Sequence, residues 1–203
     1  MTQKLDLSKT YEVEIAGFGK KTVLPTGIFD CQEFLDNYVY DGKDLGAVIH
    51  GNSTTFKVWA PTASKVSLNL YSDGHTESLI RNVEMVKGEK GVWEYTQADC
   101  GHGTYYTYTV STAVGTQIAT DPYAKAAGVN GDRSMVVALS KTNPEGWGQN
   151  FDSGIKTYSD AVIWEVHVRD FSNKIAASKY PGKYLAFTER GLTNSNGISV
   201  GVD

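Results

Sequence analysis

Four ionisable side chains lie close together in the segment "AVIWEVHVRDFS", residues 161–172. Glu165 and Asp170 supply carboxylates and His167 an imidazole, the groups that general acid–base chemistry uses. The β-branched and aromatic residues around them predict a strand. In a strand, Glu165 and Asp170 point to opposite faces and lie about 16 Å apart, whereas the two carboxylates of a glycosidase lie ~5–9.5 Å apart. We therefore do not pair them as catalytic acids.

Glu165, His167 and Arg169 share one face of that predicted strand because they are spaced by two residues. A metal ion bound by Glu165 and His167 would have only two ligands, and the positive charge of Arg169 would repel it. We predict instead a polar strand face whose charges pair with neighbouring groups. The segment supplies no catalytic residue and no metal ligand on this interpretation.

Other motifs give no stronger catalytic signal. The segment "GISVG", residues 197–201, matches the G-x-S-x-G pattern around Ser199, but only two residues remain where the acid and histidine partners should follow. We therefore predict no serine nucleophile. His50, His75 and His102 lie among turn residues and are predicted to be surface histidines.

The two cysteines, Cys31 and Cys100, match no zinc-binding spacing. A disulfide between them is possible on their number alone, although the count also fits two unpaired thiols. Unpaired thiols are the favoured interpretation, and the redox compartment stays open.

The composition limits the classes of protein to which the chain can belong. The chain has 203 residues, of which 40% are hydrophobic and 21% charged, as in an ordinary globular protein. Its net charge of −4 argues against a nucleic acid or an anionic membrane as partner. No apolar run approaches the ~20 residues that span a bilayer, and the first ten residues are not a signal peptide. We expect a cytoplasmic protein, or a secreted one if a signal peptide precedes this sequence.

Alternating apolar and polar residues between Gly-rich turns predict mainly β-structure. Residues 1–27 are predicted to form a hairpin, residues 28–140 a two-sheet β-sandwich and residues 141–160 a linker. Within the sandwich, Val66 and Leu68 are predicted to face the core, with Ser67 and Asn69 on the opposite face. We predict no amphipathic helix before residue 120.

The stretch "LGAVIHGNSTTFKVWAPTASKVSLNLYSDG", residues 45–74, resembles the N-terminal module of type I pullulanases, which belongs to carbohydrate-binding module family 48. "GVWEYT", "GTYYTYTV" and "ATDPYAKAAGVNGDRSMVV" continue the resemblance in order. "DAVIWEVHVRDFS" followed by "GKYLAFTE" is similar to the first barrel strand and loop of the glycoside hydrolase family 13 domain of the same enzymes.

The resemblance implies an immunoglobulin-like β-sandwich followed by a truncated (β/α)8 barrel, of which residues 161–203 supply the first strand and loop. A complete barrel needs roughly 250 residues. The parent enzyme would hydrolyse α-1,6-glucosidic linkages in pullulan, starch or glycogen with retention, and this chain alone would be inactive. Its partners would be an α-glucan polysaccharide and the remainder of the catalytic domain. No cofactor is expected, and a calcium requirement of the complete enzyme is left open.

The aromatic residues are the remaining candidates for sugar binding. Strand residues such as Trp59, Trp93 and Tyr106 can fill a core or stack on a sugar ring. Glucan-binding members of the module family often carry a tryptophan shortly before the Asp-Pro pair, and this chain has no aromatic residue between Val110 and Asp121. Trp93 is therefore the remaining candidate for a glucan platform. The alternative function is a stand-alone starch- or glycogen-binding module.

Overall fold

The computed structural model describes residues 6–24, 26–148 and 153–202. The chain divides into two compact units, Met1–Trp147 and Gly148–Asp203. This division falls inside the predicted linker, while the predicted domain limits stay predictions. In the described ranges, no helix is long and apolar enough to cross a membrane.

The first unit contains antiparallel β-strands in three sheets and one short α-helix. The elements are β1 (Glu12–Ile15), β2 (Gly19–Thr22), α1 (Gln32–Tyr38), β3 (Gly46–His50), β4 (Ser53–Trp59), β5 (Ala63–Tyr71), β6 (Leu79–Glu84), β7 (Val86–Lys87), β8 (Val92–Ala98), β9 (Tyr105–Thr112), β10 (Gly115–Ala119) and β11 (Ser134–Met135). Short 3-10 turns lie at Ile28–Asp30, Glu89–Gly91, Val129–Gly131 and Leu139–Lys141.

Two of these sheets form the predicted mainly-β sandwich, which is confirmed. One sheet has the order β10-β9-β5-β6 with β11 beside β9, and the other has the order β3-β4-β8-β7. The core between them is formed by Phe56, Val58, Ala63, Val66, Leu68, Leu70, Met85, Trp93, Cys100, Tyr106, Tyr108 and Val136.

The alternation of apolar residues along β5 explains how the core is filled. Val66 and Leu68 are fully buried in the core cluster, whereas Ser67 and Asn69 point to the opposite face of the sheet, as predicted. Across the core, the rings of Phe56 and Tyr106 meet edge to face with their centroids 4.9 Å apart. Burying each such side chain contributes ~1.5–3 kcal/mol, so the core accounts for much of the stability of this unit.

The predicted N-terminal hairpin is present as β1 and β2. Glu12 pairs with Thr22, Ile15 pairs with Gly19, and the turn is closed by the Phe18 amide, which donates to the Ile15 carbonyl at 2.9 Å. Both strands are exposed along their whole length. This two-stranded sheet is separate from the sandwich sheets, and its exposed side chains contribute nothing to the common core.

Helix α1 was not expected from the sequence. It has only seven residues, too few for a clear helical period, and it is held by packing rather than by propensity. Phe34 is buried beside the rings of Tyr38 and Trp59. The indole N–H of Trp59 donates both to the Tyr38 carbonyl, at 2.9 Å, and to the Lys90 carbonyl, at 3.0 Å.

In the second unit, the structure of residues 161–172 differs from the strand that was predicted there. Residues 161–167 carry no strand pairing, and Val168–Ser172 form a short helix, α2. A strand needs hydrogen bonds from a neighbouring strand, and no described segment pairs with this one. The stacked rings of Phe171 and Phe187, 4.1 Å apart, hold α2 against the 3-10 turn Tyr184–Thr188. That this segment belongs to a barrel stays a prediction.

Candidate functional site

The side chain of Trp93, predicted as a glucan platform, lies in the core of the sandwich. It is 4% exposed, its indole N–H donates to the Ala60 carbonyl at 3.1 Å, and the Lys87 ammonium lies 5.6 Å from its ring centroid. A sugar would therefore have to displace Lys87 and open the core in order to stack on this ring. Binding by Trp93 stays a prediction, while packing is the role that the geometry shows.

The ionisable groups of residues 161–172 do not form a common face. Glu165 is exposed in the unpaired segment, and Arg169 lies within α2. His167 is the residue before the helix, and its Nδ1 accepts a hydrogen bond from the Asp170 amide at 3.4 Å. The polar strand face that was predicted for Glu165, His167 and Arg169 is absent because the strand itself does not form.

The remaining predicted residues are dispersed. His50 and His75 are exposed, and His102 Nδ1 accepts a hydrogen bond from the Ala138 amide at 3.2 Å. Ser199 lies in an isolated bridge with Thr193. Neither cysteine is in a disulfide, and Cys100 is buried. Within the described part of the chain, no group of three His, Cys, Asp or Glu residues is arranged to hold a metal ion.

A second set of polar side chains lies on the outside of the five-stranded sheet, and several of its members are joined by hydrogen bonds. We call it the polar face, and it consists of Ser67, Asn69, Tyr71, Asn82, Glu84, Thr107 and Thr109. Although it points away from the core, Asn69 is only 5% exposed and Thr107 only 3%. Their neighbours on adjacent strands cover them, so the face is closely packed.

Asn69 lies at the centre of the polar face. Its Nδ2 donates to the hydroxyls of Thr107, at 3.1 Å, and Thr109, at 2.8 Å, and its Oδ1 accepts from Asn82 Nδ2 at 2.6 Å. The hydroxyls of Tyr71 and Thr107 are 3.1 Å apart. These bonds cross three strands and fix the positions of Asn82, Thr109 and Tyr71, which reach the surface.

Arg133 closes one end of the polar face. Its guanidinium lies 3.7 Å from the ring centroid of Tyr71, a cation–π geometry. It also donates to the carbonyls of Asp73, at 2.8 Å, and Thr76, at 2.6 Å, and to the Ser78 hydroxyl at 3.1 Å. Arg133 therefore fixes the β5–β6 loop beside the sheet and covers one side of the Tyr71 ring.

The β5–β6 loop is further held by Asp73. Its carboxylate accepts from the Thr76 hydroxyl and from the amides of His75, at 2.9 Å, and Thr76, at 2.7 Å. These bonds, that of the Thr76 hydroxyl first, lower the pKa of Asp73 well below its usual range. The loop also lies against the 3-10 turn at Val129–Gly131: a Cβ atom on Gly128 would lie 2.7 Å from the Gly74 carbonyl oxygen, so only glycine fits there.

A buried carboxylate anchors the segment that leads to Arg133. Asp121 is 5% exposed and accepts hydrogen bonds from the hydroxyls of Tyr106, at 2.9 Å, and Tyr108, at 3.2 Å, and from the Tyr123 amide at 2.8 Å. Its own amide donates to the Ser134 hydroxyl at 2.8 Å. Burial raises the pKa of Asp121. We assign this group a structural role, because it is enclosed by the core.

The polar face can recognise a ligand only through hydrogen bonds and one partly covered ring. Its accessible groups are neutral amide and hydroxyl groups, which suit a ligand rich in hydroxyls, while the Glu84 carboxylate is paired with the Lys65 ammonium at 2.8 Å. The sequence indicated Asn69 and Tyr71 as the face opposite the core, but gave no sign that they form a network. Arg133 was missed because its contacts join residues more than fifty positions apart.

Comparison with known proteins gives one matching family model and several pullulanases. Residues 44–124 match carbohydrate-binding module 48, the isoamylase N-terminal domain. The chain is 35% identical to the pullulanase of Bacillus subtilis strain 168 over 192 residues, which are 92% of this chain and 25% of that protein. It is 34% identical to chloroplastic pullulanase 1 of Arabidopsis thaliana over 165 residues, 75% of this chain and 17% of that protein.

Solved structures agree. The pullulanase from Bacillus acidopullulyticus has a TM-score of 0.80 and 36% identity over 99% of this chain and 24% of its own. The pullulanase from Paenibacillus barengoltzii in complex with maltohexaose and α-cyclodextrin has a TM-score of 0.74 and 41% identity over 85% of this chain and 27% of its own. The chain thus spans about a quarter of the length of these relatives.

Proposed function

We propose, from the match of residues 44–124 to carbohydrate-binding module 48, that the chain is the accessory part of an α-glucan debranching hydrolase of the pullulanase type. One observation carries the proposal: similarity to pullulanases covers 92% of the chain in sequence and 99% in structure, beyond the module itself. The reaction is hydrolysis of α-1,6-glucosidic linkages with retention, and its polymeric substrate is pullulan, starch or glycogen.

The chemistry belongs to residues outside this chain. Retaining hydrolysis requires two carboxyl groups about 5–5.5 Å apart in one site. Glu165 and Asp170 are exposed, and each lies in a segment that directs it to solvent. The second partner of the chain is therefore the remainder of the catalytic domain, which supplies the strands that residues 161–167 lack.

A chimera tests the proposal. This chain replaces the matching segment, 24% of the length, of the Bacillus acidopullulyticus pullulanase. We expect the chimera to release reducing sugar from pullulan at a rate within about tenfold of the parent, and the 203-residue chain alone to release none. A chimera that has a cooperative melting transition but no activity would overturn the proposal. The parent enzyme without the segment is the control for the contribution of the segment.

The surface that we propose for α-glucan binding is the polar face. It presents fixed hydrogen-bonding groups at Asn82, Thr109 and Tyr71, but no fully open aromatic ring, so that we expect weak, millimolar binding. Affinity electrophoresis of the chain in amylopectin gels measures it. Asn82→Ala should reduce the retardation, whereas Thr22→Ala, on the separate β1–β2 hairpin, should not. Unretarded migration of the unmodified chain would restrict the module to a structural role.

A further inference from the structure

A cleft opens between the two sandwich sheets at an edge that no strand covers. Strand β6 is the last strand of the five-stranded sheet, and β7 pairs only with Trp93 and Glu94 of β8, so the end of β8 has no partner on that side. The cleft has a volume of about 350 Å³, within the ~300–1,000 Å³ of small-molecule sites. We call it the edge cleft; its walls are Leu70, Ile80, Arg81, Gln97, Asp99 and Thr104.

Two opposite charges line the edge cleft without pairing. Within the described ranges, Arg81 makes no ion pair within 4.0 Å and no side-chain hydrogen bond. The carboxylate of Asp99 accepts one hydrogen bond, from Asn52 Nδ2 at 3.0 Å. Because these two charged groups do not pair with each other, both are available to a ligand bound between them.

Gln97 adds a buried acceptor that lacks a donor. Its Nε2 donates to the Ala98 carbonyl at 2.8 Å, while its Oε1 is shielded from solvent and accepts no hydrogen bond among the described residues. Such an atom costs about 1–3 kcal/mol in folding. Gln97 lines the edge cleft, and a ligand hydroxyl that reached Oε1 would satisfy it.

The backbone at the rim adopts a conformation that few residue types accept. Asp99 has a φ of +50°, in the left-handed region that side chains other than glycine, asparagine and aspartate avoid. This conformation carries the carboxylate of Asp99 to the same cleft as Arg81. A non-glycine residue held in that region persists because its surroundings fix it, which is common at binding sites.

We propose that the edge cleft binds one glucosyl unit of an α-glucan chain, as a second site separate from the polar face; the choice of glucan rests on the proposed function. Ile80, which is 65% exposed, contacts the apolar C–H face of the sugar ring. Asp99 and Gln97 accept from its hydroxyls, and Arg81 donates to them. A neutral ligand with hydroxyls on every side fits this mixture of donors and acceptors. An anion would be repelled by the carboxylate of Asp99, and a cation by the guanidinium of Arg81.

The experiment is an NMR titration of the full 203-residue chain with maltotriose. We expect the NMR chemical-shift changes to cluster at Ile80, at Arg81 and at Gln97–Thr104, with a separate set of changes at the polar face. Asp99→Asn keeps a residue that tolerates a positive φ, and Arg81→Gln removes the positive charge while keeping a polar side chain. Each should weaken maltotriose binding at the edge cleft about tenfold, while the exposed controls Asp41→Asn and Lys125→Gln leave it unchanged.

Four outcomes overturn the proposal. Shifts confined to the polar face, or unaltered affinity in both cleft variants, would exclude the edge cleft as a sugar site while leaving glucan binding intact. Shifts at the edge cleft on addition of glycine but not of maltotriose would identify a zwitterion site. If maltotriose produces no shifts at all, the pullulan activity of the chimera shows whether the proposed function fails as well.

Discussion

Two segments with similarly β-forming sequences have different structures in the two units of the chain. Residues 63–71 are paired on both sides as β5, and Leu68 is fully buried. Residues 161–167 are unpaired, and Val162 and Ile163 are 97% and 89% exposed. A strand-forming sequence therefore provides only a tendency, and the neighbouring strands decide whether the segment is buried.

The largest expected effect is on the free energy of unfolding. It is measured by truncating one aliphatic side chain in β5 and, for comparison, one in residues 161–167. Leu68→Ala leaves a cavity between the sheets and should lower the free energy of unfolding by about 2–5 kcal/mol. Ile163→Ala removes exposed atoms and should change it by less than about 0.5 kcal/mol. Urea unfolding followed by circular dichroism measures both. Equal effects would show that residues 161–167 are packed in solution.

The next largest expected effect is the loss of stability when Asp121, the buried carboxylate of the first unit, is replaced. Asp121→Asn places an amide where the hydroxyls of Tyr106 and Tyr108 donate, so at least one donor loses its acceptor. We expect a loss of about 1–3 kcal/mol in the free energy of unfolding. Asp170→Asn, at an exposed carboxylate of the second unit, is the matched control and should be close to neutral. A neutral Asp121→Asn would mean that these hydrogen bonds contribute no net stability.

Limited proteolysis compares the backbones of the two segments directly. Chymotrypsin should cleave after Trp164, which is 63% exposed and unpaired, at least about tenfold faster than after the buried Trp93 or Tyr106. Mass spectrometry of early fragments identifies the order of cleavage. Protection of Trp164 in a dilute monomer would contradict an unpaired segment.

The smallest effect is a pH dependence. Because burial raises the pKa of Asp121, folding takes up a proton between the unfolded pKa, about 3.9, and the higher folded pKa. The contribution of Asp121 to stability therefore decreases as the pH rises through that window. The destabilisation caused by Asp121→Asn should be greater at pH 4 than at pH 7, since effects of Asp73 and other carboxylates cancel in the difference. A destabilisation that grows with pH would require a lowered pKa.

Alternation predicted which residues of β5 face the core, because this strand has one buried and one outward face. It did not predict helix α1, whose single buried residue, Phe34, gives no periodic signal. Trp93 lies in the core because of the register in which β8 pairs with β4, where Trp93 is opposite Val58. The sequence of a single strand does not show its register against a neighbouring strand. Arg133 and the edge cleft depend on contacts between distant segments, which local patterns cannot show.

The double hydrogen bond of the Trp59 indole has a practical consequence. A single N–H group ties both the end of α1 and the Glu89–Gly91 turn to the sheet, so this N–H loses its last protein acceptor only when both segments have detached. Deuterium uptake at this one indole position would report the release of two peripheral segments at once. Hydrogen exchange at the Trp59 indole thus monitors opening of the sandwich margin.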